Sequence, residues 1–503
     1  MPDHEQHLRT DALLGDLRRH SIRGGVISFG AQAVKIVVQF GAVVVLARLL
    51  PPQAFGLVAM VAAFGGVLDL IKEFGLSAAT IQRPDITHAQ VTTLFWINTA
   101  VGSAIAVILV VGAPVIAGFY GQPELVMVTR WLALGFFVSG LTTQHWALLR
   151  RQMRFGTIAV VETGAEVAGF AVAIATALAG EGYWALVAQR LVSPTLALIG
   201  SWTLCSWRPG RPQRATSVGG LLRFGASLTG CNLIGTLSRG VDQVLIGWLF
   251  GPTALGLYER AGRLLVAPIN NINAPLYAVA MPALSRLVDQ TGRYRNAFCE
   301  IFEKLAMATM PAGAAVAVLA PWVVDILFGA QWRAATPLVA CFAIAASYHP
   351  ITLAAGLLYL TQSRSREMLR AAIVDAGISV LLVLSGLPFG IVGVAAFYGV
   401  GGLFIRAPLA LFFATRHGPV TLADLCRAIL PSSCAALAIG CAGLLVRQWV
   451  GPDLSLAGLG IVAGAAVAAG LGIFMAIPQS RRAFLALARK PTLLGWNKPA
   501  LRA

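Results

Sequence analysis

Apolar runs of roughly 20 residues follow one another along almost the whole chain, separated by short polar or glycine- and proline-rich intervals. A helix of that length crosses a hydrocarbon core of about 30 Å. The pattern predicts an all-α polytopic membrane protein with about 14 transmembrane helices. They fall at 25–49, 54–75, 92–118, 124–148, 156–179, 182–204, 224–250, 254–285, 297–328, 335–362, 367–387, 391–414, 422–446 and 457–477. Hydrophobicity does not fix the rotation of these helices, so the pattern places charges along the membrane normal but not around it.

The runs carry an internal repeat. Phe29-Gly30-Ala31 returns as Phe224-Gly225-Ala226, and Pro52-x-Ala54-x-Gly56-Leu57 returns as Pro252-x-Ala254-x-Gly256-Leu257. A weaker echo pairs Phe119-Tyr120-Gly121 with Leu327-Phe328-Gly329. Three matches in one order, at nearly constant spacing, read as duplication of a six-helix unit, a known way of building transporters. The expected organisation is an amphipathic cytoplasmic N-terminus (1–23), a first lobe (24–205), a basic linker (206–219), a second lobe (220–416), an extra helix pair (420–480) and a basic tail (481–503).

Composition agrees: 57% of residues are hydrophobic and 12% charged, far from a soluble balance. The net charge of +17 suggests nucleic acid until its positions are read. Twenty-eight basic residues flank one side of the predicted helices, whereas only Arg48, Arg333 and Arg447 flank the other. The positive-inside rule puts both termini in the cytoplasm. Met1 to Arg23 has no apolar stretch of signal-peptide type. The seven cysteines and seven histidines are scattered, so neither a metal nor a cofactor is inferred. Nucleotide-binding, zinc-hydrolase and serine-hydrolase motifs are absent, which argues against an enzyme.

The stretches LARLLPPQAFGLVAM (46–60), IAGFYGQPEL (116–125), LFGPTALGLYERAGRLL (249–265) and ILFGAQW (326–332) resemble the oligosaccharide flippases of bacterial polysaccharide synthesis. These form the polysaccharide-transporter branch of a superfamily that also holds multidrug exporters and the lipid II flippase. The resemblance covers about residues 15–480. It implies two six-helix lobes around a central cavity, and movement of a polyprenyl-diphosphate-linked oligosaccharide to the outer leaflet by alternating access. It also implies lipid-linked oligosaccharide and bilayer as partners, with polymerase or export machinery as further candidates.

An unpaired ion in hydrocarbon costs several kcal/mol or more, so basic residues inside helices are candidates for gripping a diphosphate. There are seven: Lys35, Arg130, Arg190, Arg239, Arg260, Arg263 and Arg406. Lys35, Arg190, Arg239, Arg260 and Arg263 are the candidate substrate-binding set; Arg130 and Arg406 fit snorkelling to an interface better. Arg239 with Asp242, and Glu259 with Arg263, have the spacing of local ion pairs. Lys35 and Arg260 have no partner along their own helices. Asp69, Glu162, Glu166 and Asp375 are open to two roles, binding a coupling cation or pairing with a neighbour's arginine. The span 254–285 is about 48 Å long at helical rise and carries Pro268, Pro275 and Pro282, which makes it either a moving wall or an ordinary kinked helix. Three rival readings remain: an ion-coupled multidrug exporter of the same fold, a non-transporting scaffold of polysaccharide assembly, and a membrane enzyme of that pathway. An excess of intramembrane arginine disfavours the exporter.

Overall fold

A computed structural model describes residues 17–73, 86–211, 219–451 and 455–477, with Ser77, Thr80, Ile81 and Arg481. Among these residues the structure is all-α, with no strand. The helices are α1 (Leu17–Leu49), α2 (Pro52–Glu73), α3 (His88–Tyr120), α4 (Leu125–Arg151), α5 (Phe155–Leu178), α6 (Trp184–Leu204) and α7 (Gly219–Ser285). There follow α8 (Thr291–Leu327), α9 (Thr336–Ser347), α10 (His349–Thr361), α11 (Ser365–Gly386), α12 (Gly390–Ala396), α13 (Ala407–Thr415), α14 (Leu422–Val450) and α15 (Leu456–Ala476). Helix runs through every stretch where a crossing was expected. Eight helical segments among the described residues are long and apolar enough to cross a membrane, so the count of fourteen is not confirmed.

Local chemistry sets where the helices begin and end. Thr87 starts α3 with a capping box: its hydroxyl accepts the Gln90 amide, and the Gln90 side chain accepts the Thr87 amide. Thr421 and Asp424 repeat the device at the start of α14. The predicted turn at Gly251-Pro252-Thr253 is a break inside α7, where Gly251 takes a φ of +79°. Only a residue without a Cβ adopts that angle cheaply, so glycine is where the helix breaks. Beyond it, helix continues through Pro268, Pro275 and Pro282 as far as Ser285. Tyr348 separates α9 from α10, splitting what looked like one span at 335–362.

By contact density the chain divides into two compact units, meeting between Gly256 and Leu257. In the first unit α3 packs along α4, α5 along α6, and α1 along α5. The two copies of the Pro-x-Ala-x-Gly-Leu motif meet within it. A Cβ added to Gly56 would lie 1.7 Å from the Pro252 carbonyl oxygen, and one added to Gly256 would lie 1.9 Å from that of Pro52. Each glycine therefore admits the other copy's backbone, a contact no larger residue allows. Beside them Phe119 stacks on Trp248, with ring centroids 5.8 Å apart.

The start of the 206–219 segment also belongs to this unit. Trp207 is fully buried beside Phe95, Leu148 and Leu149, and its indole N–H donates to His88 Nδ1 at 3.1 Å. The Gly210 amide donates to Thr92 Oγ1, and the Trp96 indole donates to the Gly210 carbonyl. This half of the predicted linker is a strap docked on α3. Replacing Trp207 with alanine should cost about 3–5 kcal/mol, as for other large aromatic core truncations, and lower the melting temperature in detergent.

In the second unit α8 packs along α14, and α14 along α15. Tyr294, Phe298, Phe302 and Tyr348 lie in a large core cluster among its described residues. Between α12 and α13 the backbone winds as a π-helix over Phe397–Arg406. Such helices are rare and occur most often near functional positions.

Candidate functional site

The charged residues inside the helices gather into clusters that pair bases with acids, and each cluster lies within a single unit. The first joins α1 to α5. Lys35 Nζ stands 3.5 Å from Glu162 Oε2 and 3.5 Å from Glu166 Oε1. Gln39, one turn along from Lys35, donates to both oxygens of Glu166 at 3.1 and 2.8 Å. Glu162 and Glu166 share a face because they are one helical turn apart, as are Lys35 and Gln39. Two carboxylates against one ammonium leave this cluster with a net charge of −1. Its side chains keep 23% (Lys35), 36% (Glu162) and 27% (Glu166) of their exposure, so the cluster is accessible.

The second cluster lies in α7 beyond the Gly251 break. Glu259 is buried and forms an ion pair with Arg263, as the i,i+4 spacing predicted. Arg260 is also buried, with Nε 3.8 Å from the same Glu259 carboxylate. Here two guanidinium groups meet one carboxylate. Arg263 keeps 58% of its side-chain exposure, which makes it the reachable end of the cluster. An arginine whose planar fork is only partly engaged can still hold phosphate oxygens.

The third cluster joins α11 to the π-helix. Arg406 grips Asp375 with two parallel bonds, Nε to Oδ1 and Nη2 to Oδ2, both 2.8 Å. The guanidinium lies over the Tyr398 ring, 5.3 Å from its centroid. Arg406 is therefore half-buried and paired, a partner that its place in the sequence did not reveal; the carboxylate and the ring beneath it replace lost hydration.

Among the other candidates, Asp242 Oδ1 accepts the Gln243 amide at 2.8 Å. The side chains of Asp69 and Arg239 lie outside the described residues, so the expected Arg239–Asp242 pair lies outside them as well. Arg190 is half-buried in α6, and Arg130 is exposed. Sequence reasoning missed Gln39, Tyr398 and the pairing of Lys35 with two acids 127 and 131 residues away. The one usable signal was the spacing of Glu162 and Glu166, which demanded a base from another helix.

Comparison with known proteins gives this arrangement a context. The family model described as "Polysaccharide biosynthesis protein" matches residues 45–337. The lipopolysaccharide biosynthesis protein WzxC of Escherichia coli is 26% identical over 356 residues, covering 69% of this chain and 71% of its own. The teichuronic acid biosynthesis protein TuaB of Bacillus subtilis is 29% identical over 279 residues, 55% of this chain and 58% of its own. Among solved structures, the lipid II flippase MurJ in an inward closed conformation superposes with a TM-score of 0.69 at 12% identity, covering 91% of this chain and 98% of its own. A helical fold shared with a flippase over nearly its whole length and a family match over more than half of the sequence agree: this chain is a membrane protein belonging to the polysaccharide biosynthesis protein family.

Proposed function

We propose that the protein moves a polyprenyl-diphosphate-linked oligosaccharide repeat unit from the cytoplasmic to the outer leaflet of the inner membrane by alternating access. The reading includes fourteen crossings with both termini in the cytoplasm, lobes at 24–205 and 220–416, and an extra helix pair at 422–477. No bond is made or broken in the process; the protein is a transporter.

The observation that carries this reading is the exposed Arg263 guanidinium, held on Glu259 beside Arg260, in a chain with the fold of a lipid II flippase. A diphosphate cannot enter hydrocarbon bare, and fixed guanidinium groups replace its hydration while the lipid tail stays in the bilayer. In this scheme Arg263 makes the first contact and Arg260 stiffens Glu259 beneath it. Lys35, Arg190 and Arg239 complete the set that the diphosphate meets. Asp242, Asp69 and Asp375 act as counter-ions to these bases or take part in coupling transport to an ion. Release requires that alternating access change how many bases reach the substrate at once.

A strain lacking the gene, assayed for surface polysaccharide and lipid-linked repeat units, tests the proposal. The expected outcome is loss of polymer with unchanged precursor synthesis, and precursor retained in the inner leaflet. Loss of sugar incorporation in isolated membranes would instead indicate an enzyme. In the complemented strain, Arg263→Ala should cut export about tenfold or more at normal protein level, and Arg263→Lys should recover part of it. Full export by Arg263→Ala would remove this residue from the site. Single cysteines at Gln122 and Glu181, in a background without native cysteines, should react with an impermeant thiol reagent in intact spheroplasts. Reaction only after lysis would overturn the topology.

A further inference from the structure

We propose that Arg154, Thr157 and the first amides of α5 form a binding site for the phosphate of a lipid headgroup. The inference rests on the proposed function only in placing this loop at the cytoplasmic face of the membrane. It comes from two loops, one in each unit, that stand at equivalent places in the internal repeat.

Gln152-Met153-Arg154 joins α4 to α5, and Gln362-Ser363-Arg364 joins α10 to α11. Their backbones make the same turn. The middle residue takes a φ of +54° in one and +56° in the other, uncommon for a residue other than glycine. The Arg154 amide donates to the Leu149 carbonyl at 3.0 Å, and the Arg364 amide to the Tyr359 carbonyl at 2.8 Å. Each arginine then stands at the N-cap of the helix that follows. In the second unit this arginine is fully engaged. Its Nε and Nη2 grip Glu367, in the first turn of α11, with Nε 3.1 Å from Oε1. Its Nη1 donates to the carbonyls of Ala414 and His417, and the His417 ring lies 3.2 Å from the same carboxylate.

The first unit keeps the turn and changes what fills it. Counted along the chain from each arginine, Thr157 stands where the second copy has Glu367, and Trp207 where it has His417. Arg208, in the strap, donates to the carbonyls of Cys205 and Trp207, so the counterpart of the His417 carbonyl is already taken. Arg154 is left exposed, and among the described residues no carboxylate pairs with it. The helix behind it has neither a side-chain cap nor an acid in its first turn. Free amides at the positive end of a helix, a planar guanidinium and a hydroxyl are the donors that hold phosphate oxygens. The second unit shows this turn's fork closing on a carboxylate of its own chain. In the first unit that acid is a threonine, and the anion that completes the fork comes from outside. At a cytoplasmic membrane face the anion at hand is lipid phosphate.

The test is hydrogen–deuterium exchange at the amides of residues 155–157 in the purified, delipidated full-length protein. The probes are dioleoyl phosphatidylglycerol, geranylgeranyl diphosphate and the phosphate-free dioleoylglycerol. A phosphate lipid is expected to slow these amides about tenfold, and dioleoylglycerol to leave them unchanged. Arg154→Gln should abolish the protection. Thr157→Glu, which gives the first turn the acid of the second unit, should close the fork from within and make exchange independent of lipid. Protection at lower concentration by phosphatidylglycerol supports the site as one for bilayer lipid, and by the diphosphate as one for arriving substrate. Protection by neither overturns it, as does protection that survives either variant in folded protein. Polymer retained by the strain lacking the gene would overturn the proposed function and leave this readout untouched, so the two readings fail separately.

Discussion

Asp375→Ala is expected to destabilise the protein by about 2–3 kcal/mol, below the 3–5 kcal/mol or so found when one partner of a fully buried ion pair is removed, because this pair is partly exposed. Arg406 keeps only 13% of its side-chain exposure, while Asp375 keeps 46%. Removing the acid strands a mostly covered guanidinium; removing the base strands the more exposed carboxylate. Arg406→Leu should therefore cost clearly less than Asp375→Ala, and the double substitution should recover much of the loss. Melting followed by fluorescence-detected size exclusion checks the order. Equal losses from the two single variants would mean that the pair is solvated and that the π-helix around it is held by packing alone.

The second large effect is expected at the glycine contact. Gly56→Val and Gly256→Val each place a side chain against a backbone carbonyl, at Cβ distances of 1.7 and 1.9 Å. No rotamer relieves such a clash, so the two turns must part, at a cost above the usual 1–3 kcal/mol or so of overpacking. Because each glycine faces the other copy, the first substitution opens the contact for the second. The double variant should melt well above the temperature expected from adding the two single losses. Strict additivity would show that the two glycines do not share one contact.

Much of the architecture was legible from the chain, because long apolar runs and their basic flanks act through length and charge count alone. Helix stands at every stretch read as a crossing, and the pair between Glu259 and Arg263 followed from spacing within one helix. The other pairs depend on how helices rotate against one another. A helix that is apolar all round carries no phase to reveal this, which is why Lys35 looked unpartnered although two acids face it from α5. The Asp375 partner of Arg406 was hidden for the same reason, and the π-helix that carries Arg406 has no local sequence signal. Trp207 in the strap was hidden differently: arginines and prolines around it read as a solvated linker, whereas the indole found a buried hydrogen-bond partner in His88.

The mutual contact of Pro52–Gly56 with Pro252–Gly256 bears on how such a chain changes over time. It has the form of a two-fold interface between identical partners, in which one patch meets its own copy. Neither glycine can be replaced without displacing the other copy's carbonyl, so a change on one side of the contact demands a change on the other. That mutual constraint is a physical reason for the same six-residue pattern to stand at both positions while the text around it differs.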